Sequence, residues 1–482
     1  MKGYTPTIGL EIHAELKTRT KMFCDSKNDS DEERSNVNVC PVCMAHPGTL
    51  PVINKDAVRH VLTVGTSVGG ALANYTEFDR KNYFYPDIPK GYQISQYEYP
   101  LVVGGELEGV KITRIHLEED TARSLHDEKT DATLVDYNRA GVPLMELVTE
   151  PVIENPETAG RFARELQTLL RYLNVSEANM EKGEMRVEAN VSVSKNKNLG
   201  TKVEIKNLNS FRGMERAIAF EIERQITEIE KGGSIIQETR GWDDAKQKTF
   251  SQRQKEGSAD YRYFPDPDLP KLHLHEIEEF TAERIKENLP ELPWQKREKY
   301  ISFGIKREYA DLYVKNRVLG RFFDEVSAIL TGKDKILLAS NYIATDLSKI
   351  IRDFGQRDSE SGAEIAEMST IPISSQHFSE LIELLASNAI SSRAGKDILL
   401  EMASGNRGPS EIAKKEGLYQ TSDEGSLDPL VQKVISENRS VVEDFKSGKD
   451  SALQFLIGQA MRESKGAANP QVLRTIFLNL LK

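Results

Sequence analysis

The stretch Ile8-Gly9-Leu10-Glu11-Ile12-His13-Ala14-Glu15-Leu16 decides the fold. Alternate side chains of a strand face opposite ways, so Leu10, Ile12, Ala14 and Leu16 share one face and Glu11, His13 and Glu15 the other. The apolar row calls for a core beneath it. The polar row sets an imidazole between two carboxylates. Alone, such a row is ordinarily a solvated edge, and its meaning depends on whether other strands repeat it.

Other strands do repeat it. Over 112–120, Ile115 and Leu117 face one way and Arg114, His116, Glu118 and Asp120 the other. Strand patterns continue over 134–139 and 144–149, the latter with Glu146 opposed to Met145 and Leu147. Then Met185, Val187, Ala189, Val191 and Val193 alternate with Glu184, Arg186, Glu188, Asn190 and Ser192. Past a polar loop, Val203 and Ile205 alternate with Lys202, Glu204 and Lys206, which predicts a hairpin. Helical spacing covers 56–73, 156–174 and about 210–231.

If these strands share one sheet, Glu11, His13, Glu118, Glu146, Glu188 and Glu204 converge on one surface. Like charges so close raise one another's pKa unless cations are bound. Carboxylate oxygens with one imidazole suit magnesium or manganese beside substrate phosphates. Arg186, Lys202 and Lys206, interleaved with the acids, suit phosphate oxygens or a developing anion. The bland reading is a solvated face of alternating salt bridges. The chain has no Walker A sequence, dinucleotide-binding glycine fingerprint or kinase motif set, so a nucleotide site here is of an unusual kind.

Two loops carry further chemistry. Cys24 and Cys40-Pro-Val-Cys43 have the spacing of zinc ligands, with Ser26 where a fourth thiol would stand and His46 as a substitute; reduced structural thiols are the other reading. The segment 80–96 sets Lys81, Tyr83, Tyr85, Lys90 and Tyr92 around two prolines, which rule out a continuous helix. Rings beside cations suit an exposed nucleotide end, and core packing of the tyrosines is the alternative. Asp260-Tyr-Arg-Tyr-Phe-Pro265 is a second segment of this kind.

The 482 residues exceed one compact core. A net charge of −11, with 29% charged and 38% hydrophobic residues, describes a soluble protein without a general nucleic-acid coat. No apolar run is long enough to span a bilayer, and a cytoplasmic location is expected. Past Asn288-Leu-Pro-Glu-Leu-Pro293 the period changes from two to 3.6. The expected class is α+β: a β-sheet-centred cradle domain over 1–292, an all-helical domain over 293–408 and a small helical tail domain over 409–482. Residues 438–482 hold seven Lys/Arg against four Asp/Glu, a net of 7 − 4 = +3 that suits a polyanion.

Ile8-Gly-Leu-Glu-Ile-His13, Lys81-Asn-Tyr-Phe-Tyr-Pro-Asp87, Tyr92-Gln-Ile-Ser-Gln96, His116-Leu-Glu-Glu-Asp120, Lys206-Asn-Leu-Asn-Ser210, Asp260-Tyr-Arg-Tyr-Phe-Pro265 and Gly458-Gln-Ala-Met-Arg-Glu-Ser-Lys-Gly-Ala-Ala-Asn-Pro470 occur together and in order. In this the chain resembles the GatB family, the B subunits of the tRNA-dependent aspartyl/glutamyl amidotransferase, over essentially its whole length. The resemblance implies that ATP phosphorylates the side-chain carboxylate of glutamate or aspartate misacylated on tRNA(Gln) or tRNA(Asn), and that ammonia displaces the phosphate. It implies Mg2+ on Glu11, His13, Glu118, Glu146 and Glu204, with Glu188 and Glu119 as neighbours. Glu11, His13, Arg186 and Lys206 are then the catalytic candidates. Lys81, Tyr83, Tyr85, Lys90 and Tyr92 are expected at the tRNA end, and Lys449, Arg462 and Lys465 in a tRNA-binding tail. Ser26 departs from members with four cysteines and puts zinc, not activity, in question. No glutaminase signature is present, so the implied partners are a glutaminase of the amidase family and a small third subunit of the same complex. A non-catalytic tRNA-binding scaffold and a metal-dependent hydrolase are the competing readings.

Overall fold

The computed structural model describes residues 3–127, 130–196, 198–254, 261–355, 371–405, 407–420, 423–464 and 467–481. The chain divides into two compact units, Met1–Pro293 and Trp294–Lys482.

The first unit is built on a mixed ten-stranded sheet. The opening stretch forms β1 (Thr5–Glu15). Two short strands follow, β2 (Asp79–Asn82) and β3 (Tyr92–Ser95), then β4 (Val110–Glu119), β5 (Pro143–Thr149), β6 (Met185–Ser194), β7 (Val203–Leu208), β8 (Glu238–Asp243) and β9 (Lys248–Gln254). The sheet runs β9-β8-β7-β6-β1-β5-β4 and closes on the short strands Val102–Val103 and Ala71–Leu72. Both neighbours of β1 are antiparallel to it, as are β4 to β5 and β7 to β6; only β7 and β8 pair in parallel. All five strands expected to bear acids are therefore adjacent.

The apolar row of β1 lies in the core, with Ile8, Ile12 and Ala14 fully buried. Three helices stand by it: α1 (Lys55–Ser67), α2 (Pro156–Tyr172) and α3 (Phe211–Glu230). α3 packs on β6 and β7, α2 on α3, and α1 on β4. Each starts where its sequence supplies a cap: Asn54, Asn155 and Ser210 accept from the first free backbone N–H groups. α1 stops well short of the expected 73, because Gly69 takes a φ of +72° and the chain turns into the edge strand Ala71–Leu72.

The polar face is partly covered by a small sheet in which β3 and Phe264–Pro265 flank β2. β3 is fastened to the end of β4: the Ile94 N–H donates to Glu119 Oε1 at 2.9 Å and Gln96 Oε1 accepts from the Leu117 N–H at 2.9 Å. The segment expected as a strand over 134–139 departs from the large sheet. Its strand is Ala132–Asp136, which pairs with Arg123–Asp127 as a separate two-stranded ribbon.

The second unit is helical, with one β bridge between Ile390 and Tyr419. Within it, Lys333–Tyr342 and Ser348–Gly355 are two helices joined through a π-helical turn at Ile343–Leu347. At the C-terminal end, Glu424–Glu437, Asp450–Glu463 and Pro470–Leu481 enclose a core of Val431, Val434, Leu456, Ala460, Leu473 and Phe477.

Candidate active site

Strand register brings the acids together. His13 on β1 stands opposite Glu146 on β5, which stands opposite His116 on β4; on its other side His13 meets Arg186 on β6. One step along, Glu11 stands opposite Glu188, and beyond them Asn190 opposite Glu204 on β7. Directly opposed residues in an antiparallel pair share a face, so these side chains form one continuous polar surface.

The distances make three overlapping groups. His13 Nε2 lies 3.4 Å from Glu146 Oε2 and 3.5 Å from Glu118 Oε1, and His116 Nε2 lies 3.3 Å from the same Glu146 oxygen. Ligand atoms of Glu11, His13 and Glu146 lie within 4.8 Å of one another, as do those of His116, Glu118 and Glu146 and those of Glu11, Glu188 and Glu204. Glu11 and Glu146 each belong to two of these sets. Glu118, Glu146 and Glu204 are buried. Two buried oxygens here, Glu188 Oε2 and Asn190 Oδ1, have no hydrogen-bond partner among the described residues. Buried oxygens of this kind are costly unless a cation or water completes them, and hard oxygen donors fit Mg2+.

The electrostatics follow from the crowding. Burial raises the Glu11 carboxyl above its ordinary range, and Glu146 and Glu188 add to the rise against the pull of His13 and Lys206. Burial disfavours charged His13, but the Glu146 hydrogen bond and the fields of Glu146, Glu118 and Glu11 outweigh it and lift the imidazole to about 9. Glu146 is held well below its usual range despite burial by His116 and His13. In the absence of an ion, His13 is the cation between Glu146 and Glu118.

Cations border the row. Lys206 Nζ donates to Glu188 Oε1 at 2.9 Å, and its ammonium is favoured, against burial, by Glu188 and Glu204. Arg186 Nη2 pairs with Asp120 Oδ1 at 3.0 Å, and Arg139 Nε reaches Asp120 Oδ2 at 2.7 Å. The Lys81 ammonium stands 5.1 Å from the ring centre of Tyr261 and 5.9 Å from that of Tyr83. Burial opposes its charge, but Glu118, Tyr263, Tyr83 and Glu146 favour it. Tyr83 packs edge-on against Tyr85 and Tyr261, so these rings flank the acids.

Several expected residues lie elsewhere. Lys202 is exposed just before β7 and makes no ion pair with the row among the described residues, because the strand begins at Val203. Glu119 points away from the acids and pairs with Lys90 Nζ at 2.6 Å. Lys90 and Tyr92 line a separate cavity of about 210 Å³ with Cys24, Cys43, His46 and Glu119. Lys449 is exposed and paired with Asp444 at 2.7 Å, Arg462 is exposed, and Lys465 lies outside the described residues. His116, Asn190 and Tyr263 join the site without having been singled out, although His116 shares its strand face with Glu118.

The model of the GatB/GatE catalytic domain matches residues 6–279, and that of the GatB domain residues 324–481. The chain belongs to the GatB family. Its relatives in that family include the aspartyl/glutamyl-tRNA(Asn/Gln) amidotransferase B subunit of Caldanaerobacter subterraneus subsp. tengcongensis, 43% identical over 97% of each chain. The B subunit of the same enzyme from Carboxydothermus hydrogenoformans is 40% identical over 100% of this chain and 99% of its own, and that of Thermotoga maritima 41% over 99% of each. All the residues of the acid row fall inside the stretch matched by the GatB/GatE catalytic domain.

The thiols of this GatB member also meet. Ligand atoms of Cys24, Cys40 and Cys43 lie within 4.8 Å of one another, and Ser26 Oγ stands 3.7 Å from Cys43 Sγ. Lys21, fully buried, places Nζ 3.8 Å from Cys43 Sγ and donates to the Tyr137 carbonyl at 3.2 Å. Hydrogen bonding from Cys24, opposed by burial and aided by Lys21, pulls the Cys43 thiol down to about 4. Three sulfurs with a hydroxyl at the fourth corner fit a thiophilic ion such as zinc.

Proposed function

We propose that this chain is the transamidating subunit of an ATP-dependent amidotransferase acting on glutamate or aspartate misacylated on tRNA(Gln) or tRNA(Asn). The observation that carries this reading is the meeting of Glu11, His13, Glu118, Glu146, Glu188 and Glu204 on five adjacent strands. The names of its relatives support the tRNA substrate.

The chemistry calls for such a surface. A carboxylate is a poor acyl donor because oxide is a bad leaving group. Its oxygen attacks the γ-phosphorus of ATP, ADP departs, and the acyl phosphate then loses phosphate as ammonia adds to the carbonyl. Two magnesium sets are proposed, Glu11, His13, Glu146 and Glu118 in one and Glu11, Glu188 and Glu204 in the other. When bound, the ions would neutralise negative charge on the phosphoryl oxygens. Arg186, aimed by Asp120, and Lys206, held by Glu188, stand at the margin to receive the phosphoryl anion. Lys81 with Tyr83 and Tyr85 would bind the tRNA end. Lys90 and Tyr92, facing their own cavity, fit that role less well.

The proposed organisation is a cradle domain over 1–292, a helical domain over 293–408 and a tRNA-binding tail over 409–482, in which Lys449, Arg462 and Lys465 meet phosphates. Ammonia comes from a partner glutaminase, with a small third subunit completing a cytoplasmic complex. Cys24, Cys40 and Cys43 would hold zinc, as a structural ion. No helix among the described residues is long and apolar enough to cross a membrane.

The test is transamidation by the reconstituted complex on each misacylated tRNA, with ATP and Mg2+ present or withheld. Amide formed without ATP, or at full rate by His13→Ala, would overturn the proposal.

A further inference from the structure

Each acid proposed to hold an ion, apart from Glu11, accepts a hydrogen bond or close contact from a donor. Ser95 Oγ donates to Glu118 Oε2 at 3.2 Å, and Thr239 Oγ1 to Glu204 Oε2 at 2.6 Å. His116 Nε2 stands 3.3 Å from Glu146 Oε2. Lys206, already placed beside Glu188, completes the series. Ser95, His116 and Thr239 are at most 2% exposed and come from β3, β4 and β8, none of them the central strand.

At Glu118 and Glu188 these contacts engage one oxygen and leave the other to the acid surface, whereas at Glu146 His116 and His13 share Oε2. Glu118 Oε1 lies toward His13, and Glu188 Oε2 is buried without a partner among the described residues. A carboxylate held at one oxygen is restrained from rotating about its last bond. Without that grip, neighbouring acids would splay apart under their own repulsion and lose the ligating geometry.

His116 adds a second clue. Its Nδ1 is buried and has no partner among the described residues. An unused lone pair costs less than a buried unpaired N–H, so the proton belongs on Nε2, toward Glu146. His13 approaches the same Glu146 oxygen. When His13 turns its lone pair to an ion, His116 remains to hold Glu146 in place.

We propose that Ser95, His116 and Thr239 are positioning residues for the divalent-ion site, fixing Glu118, Glu146 and Glu204 from behind. This rests on the ion-binding reading above. Outer donors of this kind typically change metal affinity ten- to a hundredfold.

The experiment titrates the EDTA-stripped full chain with Mn2+, read from the free-ion electron paramagnetic resonance signal. Thr239→Val keeps the shape and removes the hydroxyl; Thr239→Ser keeps the hydroxyl. Thr239→Val and Ser95→Ala should weaken Mn2+ binding about tenfold or more, while Thr239→Ser stays within about threefold of wild type and thermal unfolding in EDTA is unchanged. His116→Ala should weaken binding and His116→Gln, which retains a donor, should recover most of it. In the reconstituted complex, Thr239→Val should require more Mg2+ yet reach the wild-type kcat at saturation. Mn2+ uptake by wild type with equal affinity in Thr239→Val and Ser95→Ala overturns the positioning role alone. A wild-type chain that takes up no Mn2+ overturns the ion-binding reading as well.

Discussion

Glu11 and Glu188 stand directly opposite each other on adjacent antiparallel strands. Like charges in that relation destabilise a sheet unless something cationic sits between them. Lys206 reaches Glu188 but leaves the pair anionic on balance. Glu11→Gln should therefore raise the melting temperature of the EDTA-treated chain while lowering transamidation at least about a hundredfold, as expected for loss of a shared ligand. Binding of tRNA should stay within a few-fold. Calorimetry and a rate assay check both halves, and a Glu11→Gln enzyme of normal rate would contradict the ligand role.

His13 predicts a pH dependence. Its folded-state value of about 9 lies above the ordinary 6.5 of an imidazole. A raised pKa contributes stability that is fully present below the unfolded value and lost as pH climbs through the folded one. Between pH 6.5 and 9 the ion-free chain should lose up to about 1.4 kcal/mol per pH unit from this group. His13→Gln should show a flatter profile across that window in denaturant melts with EDTA. A wild-type slope in the variant would remove His13 as the source.

Lys206→Met and Arg186→Met separate charge from shape. Each removes a cation at the proposed phosphoryl site, and each should lower kcat about a hundredfold or more. Lys202→Met should leave the rate within about twofold, since an exposed side chain away from such features changes little. Single-turnover acyl-phosphate formation measures these effects. Equal losses in all three would point to general charge instead of position.

The tail is tested by salt. Lys449→Ala with Arg462→Ala should weaken tRNA affinity and make the log–log salt slope shallower by about one to two. Filter binding at several salt concentrations reads it. An unchanged slope would take these two residues off the phosphates.

Zinc can be probed through Ser26. Ser26→Cys completes a four-thiol set and should slow zinc release to a chromogenic chelator by at least about tenfold, because a thiolate replaces a weak hydroxyl. Identical release would mean that Ser26 does not occupy the fourth corner.

The alternation of Leu10, Ile12 and Ala14 with Glu11 and His13 was legible because side chains of a strand have a period of two. That row faced away from the core as expected, and the sheet-then-helix order was equally plain. Cross-strand register was not legible. Nothing local says that His13 meets Glu146 or that Glu11 meets Glu188, since both depend on pairings across more than a hundred residues. Lys202 failed because the strand starts one residue after it, at Val203. Lys90 was grouped with Lys81 by sequence proximity, whereas the turn between β2 and β3 sends Lys90 to Glu119. Helix α1 was extended too far because Val68 and Leu72 kept the apolar spacing through Gly69-Gly70.

The order of the central strands has a consequence for biosynthesis. β1 is synthesised before both of its neighbours, β5 and β6, which follow it by more than a hundred residues. Until β5 and β6 have emerged, the nascent polypeptide carries Glu11 and His13 without their counterparts. Long-range pairing of this kind is slow. In that interval β1 is an unpaired strand, and a chaperone or an assembly partner meeting it then would find an open sheet edge.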